Sequence, residues 1–98
     1  MTVGEWIDGC ARPVPAAFRG RLNAEGPASL DALLAAAESE LRACEGGAAL
    51  DRASAFSLLA ADAYVTYACL WTMTEGAPGD LGRIAERITR EWARENTA

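Results

Sequence analysis

Ninety-eight residues, 51% hydrophobic and 23% charged, describe one folded domain (residues 1–98), and a net charge of −5 argues against a phosphate-backbone binder. Histidine is absent and Cys10, Cys44 and Cys69 form no CxxC pair, which removes the commonest general base, the usual zinc ligand sets and a disulfide framework. Twenty-two alanines against three valines and three isoleucines favour helix over sheet.

The first ten residues, MTVGEWIDGC, hold neither the basic nor the apolar region of a signal peptide, and a turn of helix is predicted around Trp6 and Ile7. Arg12–Pro15 reads as extended, because a residue before proline is pushed out of the helical region. Pro15 suits a first helical turn, so a short N-terminal helix is predicted from Pro15 to about Glu25, with Phe18 and Leu22 on one face and Gly20 weakening it.

The second predicted helix starts at Ser29, a candidate N-cap, with Asp31 in its first turn and Gly46 as its stop. Leu30, Leu33, Leu34, Ala37, Leu41 and Cys44 recur at helical spacing, and Glu38–Arg42 is an i,i+4 pair on the flank. The third predicted helix runs from an N-cap at Asp51 to Gly76, about 37 Å at 1.5 Å per residue. It is apolar on two sides. Ala55, Leu58, Leu59, Asp62, Thr66, Cys69 and Met73 share one face; Tyr64, Tyr67 and Trp71 form a ridge on the other, with Phe56 beside them. A membrane span is set aside because Asp62 and several hydroxyls interrupt the stretch and no basic residues bracket it. The fourth predicted helix begins near Asp80, with an apolar stripe of Leu81, Ile84, Ala85, Ile88 and Trp92. Opposite that stripe, Arg83, Arg87, Arg90 and Arg94 line up at spacings of four, three and four.

Three groups of residues invite a functional reading. Asp62 is a buried carboxylate of raised pKa, a structural one that caps a helix, bonds an aromatic or meets Arg12, Arg19 or Arg21, or an ordinary surface residue. Phe56, Tyr64, Tyr67 and Trp71 are core, a partner hot spot or the wall of a ligand pocket. The arginine ridge either meets an acidic partner or is a solvated face, since Glu86–Arg90 and Arg87–Glu91 are spaced to pair. No glycine loop, nucleophile elbow or second carboxylate near Asp62 suggests catalysis, a cofactor or a metal. Cys10, between Gly9 and Ala11, is the one thiol expected in a loop.

The expected fold is all-α: a small antiparallel bundle of three long helices plus a short N-terminal one. The expected function is a non-enzymatic interaction or adaptor module, homodimeric through the Tyr64–Trp71 ridge, with no nucleic acid and no membrane. The alternative is a binder of a small apolar or aromatic ligand in a cavity beside the third helix, oriented by Asp62 or a tyrosine hydroxyl. Arginine without lysine beside abundant alanine suggests a GC-rich bacterial genome, and three unpaired cysteines a reducing cytoplasm.

Overall fold

The computed structural model describes residues 1–10, 14–45 and 52–96. Its elements are α1 (Val3–Asp8), α2 (Ala16–Arg19), α3 (Leu30–Glu45), α4 (Arg52–Thr74), a 3-10 turn (Pro78–Asp80) and α5 (Leu81–Asn96). The fold is a small all-α bundle. Among the described residues no strand forms, and the one bridge, Thr2 with Pro27, ties the N-terminal segment to the loop before α3. The predicted caps at Gly46 and Asp51 and the stretch Ala11–Pro13 lie outside the described residues.

α1 forms because Thr2 and Glu5 make a capping box. The Glu5 amide donates to Thr2 Oγ1 at 3.1 Å, and the Thr2 amide donates to Glu5 Oε1 at 2.9 Å. Two further bonds zip this segment down: Val3 N–H to Gly26 O at 3.0 Å and Ala28 N–H to Met1 O at 2.9 Å. Gly26 sits at φ +94°, a conformation that side chains resist. α1 then presents Val3, Trp6 and Ile7 to the core, all buried.

The helix predicted from Pro15 to Glu25 ends at Gly20. Two polar contacts replace its continuation. Arg19 donates to Leu22 O at 2.8 Å while pairing with Asp8, and the Ala24 amide donates to the hydroxyl of Tyr64 at 3.0 Å. Leu22, 1% exposed, enters the core beside half-buried Phe18.

α3 follows its sequence. Ser29 Oγ accepts the Ala32 amide at 3.0 Å, and Leu33, Leu34, Ala37 and Leu41 are buried along one stripe. α4 packs along α3 and runs unbroken for 23 residues. Its threonines do not compete with the helix: Thr66, Thr72 and Thr74 each donate back to the carbonyl four residues earlier. It stops where the Glu75 and Gly76 amides both turn onto Trp71 O, at 2.7 and 3.0 Å, ahead of Pro78.

α5 docks on α3 through charge as much as through apolar contact. Arg87 grips both carboxylate oxygens of Glu38 (2.8 and 3.2 Å) and also reaches Asp31 at 3.1 Å. Glu91, 6% exposed, lies between Arg42 at 3.1 Å and Arg94 at 2.8 Å. The expected local pairs Glu38–Arg42 and Arg87–Glu91 are thus replaced by cross-helix ones, while Glu86–Arg90 forms at 2.9 Å. These contacts roll α5 by roughly 60° from the position its apolar stripe alone would select. Ile84 is buried, Ile88 is half-buried, and Leu81, Ala85 and Trp92 (57% exposed) face outward.

Candidate functional site

The two faces of α4 have opposite fates. Tyr64 and Tyr67 are buried, and Trp71 is half-buried against the same core. What covers the ridge is Trp6 from α1, whose ring meets Tyr67 edge-on (centroids 6.0 Å, planes at 82°) and Trp71 at 5.2 Å and 61°. The Tyr64 hydroxyl is engaged by the Ala24 amide, and burial pushes its pKa up. The expectation that Tyr64, Tyr67 and Trp71 form an open partner surface is therefore corrected: the chain's own N-terminus takes that place. Phe56 lies at the edge of the face with the Arg52 guanidinium 5.6 Å from its ring centroid.

Asp62 lies on the other face and is exposed, which corrects the reading of a buried carboxylate. It has no side-chain partner among the described residues; Arg19 is taken by Asp8, and Arg21 by Ser57 (3.2 Å) and Glu40 (3.7 Å). Around Asp62 the helix presents Leu58 (51% exposed), Leu59 (55%) and Met73 (64%), together with Ala55, Thr66 and half-buried Cys69. So α4 is dry on one side only.

Within this open face, Ala55, Leu59, Asp62, Thr66, Cys69 and Met73 follow one another at intervals of four, three, four, three and four residues. That is the spacing at which a straight helix offers knobs to a second helix lying along it. The open seam is about 27 Å long, from the eighteen-residue separation of its ends. α4 also has the length and composition of a membrane span. Asp62 stands near its midpoint, however, and an ionised carboxylate there is costly in hydrocarbon.

The arginine ridge is spoken for. Arg83 pairs with Asp80 (3.3 Å), Arg87 with Glu38 and Asp31, Arg90 with Glu86 and Arg94 with Glu91. The shallow depression beside Arg83, Arg87 and Arg90, about 180 Å³, also contains Glu86. An acidic partner would have to displace carboxylates already in place, which corrects the reading of these four as an open cationic surface.

The remaining candidates carry no activated group. Cys10 is partly buried at the end of α1, its thiol donates to Trp6 O at 3.3 Å, and burial pushes its pKa up, away from thiolate character. Ser57 accepts a hydrogen bond from Arg21, which supplies no base to take its proton. Among the described residues no group of three or more Cys, Asp and Glu side chains is placed to hold a metal ion.

A cleft of about 390 Å³ opens between α1 and the end of α4. It differs from the expected cavity in being open, and neither Asp62 nor a tyrosine lines it. Compared with protein families, curated proteins and solved structures, the chain matches none.

Proposed function

We infer that this chain is a non-enzymatic interaction module that pairs with a second copy of itself, α4 against α4, in antiparallel orientation. The observation that supports this reading is the self-complementarity of the open seam. Positions 55 and 73, 59 and 69, and 62 and 66 are symmetric about residue 64. A two-fold axis at that level sets Ala55 against the partner's Met73, Leu59 against the partner's Cys69, and Asp62 against the partner's Thr66. Each apolar layer joins a larger side chain to a smaller one, which is how facing helices fill space. The polar layer joins an acceptor to a donor: the Thr66 hydroxyl, which bonds its own Asp62 carbonyl at 3.0 Å, is within a rotamer change of the partner's carboxylate.

A parallel pair would stack Asp62 on Asp62; the antiparallel pair offsets the two carboxylates by about 6 Å along the axis. A seam of this length buries on the order of 1,000 Å² in total, at the small end of specific interfaces. Sedimentation equilibrium at about 100 µM tests it. The expected mass is twice the 10.3 kDa of one chain. A single monomeric species across that range, or association only on lipid vesicles, contradicts the reading.

A further inference from the structure

The cleft beside α1 has a composition that specifies a ligand. It is lined by Trp6, Cys10, Leu70 and Thr74, with Met1, Glu5 and Glu75 as its charged or charge-bearing residues. Its volume of about 390 Å³ falls at the lower end of small-molecule sites and holds a single ring with a short chain. Among the described residues no arginine lines it. Arg19, Arg21, Arg42, Arg83, Arg87, Arg90 and Arg94 are each bonded to acids elsewhere, and Arg52 lies over Phe56.

The two carboxylates differ in what they can offer. Glu5 is committed to the cap of α1, and its bond to the Thr2 amide, its contact with the Thr2 hydroxyl and the nearby amino group of Met1 hold its pKa below the usual range. Glu75, just past the end of α4, has no ion-pair partner among the described residues. Glu5, Glu75 and the amino group of Met1 together give the described lining one negative charge in excess, beside apolar walls and an indole ring.

We propose that this cleft binds a small organic cation with an apolar or aromatic body, its ammonium held by Glu75 and its body lying against Trp6 and Leu70. An electron-rich indole beside a carboxylate favours a cation over a neutral molecule of the same shape. An anion would meet two carboxylates against the single amino group of Met1, and a neutral apolar molecule would use the walls and leave Glu75 idle. None of the lining residues is a seam residue, and Leu70 and Thr74 flank the seam beside Cys69 and Met73.

The probe is phenethylammonium, with phenethyl alcohol as its neutral counterpart, titrated into the full chain while amide resonances are followed. Saturable shifts at Cys10, Thr74 and Glu75 are expected, with the ammonium binding about tenfold more tightly than the alcohol. Glu75→Gln, at an exposed position outside any helix, is expected to keep the fold and abolish that preference. No saturable shift up to about 10 mM, equal affinities for ammonium and alcohol, or an unchanged preference in Glu75→Gln would each overturn the proposal.

Discussion

Trp6→Ala is expected to lower the unfolding free energy by about 3–5 kcal/mol, the loss typical of removing a buried indole. Domain stabilities are about 5–15 kcal/mol, so one side chain from a six-residue helix carries a large share of the total. Trp6 is 9% exposed and meets both Tyr67 and Trp71, so its removal leaves a void and two half-stripped aromatics at once. Val3 and Ile7 of α1 share that core, but Trp6 is the α1 side chain whose ring meets Tyr67 and Trp71. Urea denaturation followed by circular dichroism measures the effect. Trp6→Phe, which keeps a ring in the gap, is expected to recover more than half of the loss. A change below about 1 kcal/mol for Trp6→Ala would mean that α1 is not the cover of the aromatic ridge.

Leu59→Arg is expected to weaken self-association by at least about 100-fold and to leave the protomer's stability within about 0.5 kcal/mol. The two effects separate because Leu59 is 55% exposed, so the fold does not depend on it, whereas the proposed seam places it near the centre, against the partner's Cys69. An arginine there is too large for a layer shared with the partner's Cys69, and it would draw its own Asp62, three residues on, away from the partner's Thr66. Sedimentation velocity and thermal unfolding of the same sample read both quantities. A variant that associates like the wild type would move the contact away from α4.

The sequence was most legible where local rules act alone. Ser29 and the Leu33–Leu41 stripe define α3 through capping and periodicity, and both are set by residues within a few positions of one another. For α4 the wheel separates two apolar faces but holds no information about which is covered, because the cover is Trp6, brought from the far end of the chain by the bridge at Thr2 and Pro27. α4 does have a face left over, but it is the side of Leu58, Leu59 and Met73 and not the aromatic one. Tyrosine and tryptophan serve a core and an interface equally well by composition, and burial decides between them.

Polar contacts between distant elements account for the other departures. Gly20 was read as a weak point within a helix, yet the helix ends there because Tyr64 captures the Ala24 amide. The arginines of α5 were read by i,i+4 spacing, and Arg87 instead reaches Glu38 and Asp31 across to α3. Spacing rules describe what neighbours on one helix can do; they do not rank those options against a bidentate carboxylate on another helix, which is the stronger contact.

The pairing of α4 with a second α4 is tested most directly by Leu59→Cys under mild oxidation, with the linkage mapped by peptide mass. An antiparallel seam about residue 64 sets the new thiol at position 59 opposite the native Cys69 of the other chain, within the range over which a disulfide closes. A covalent dimer carrying the 59–69 linkage twice is the predicted product. A chain that stays monomeric, or a dimer joined 59 to 59, would contradict it.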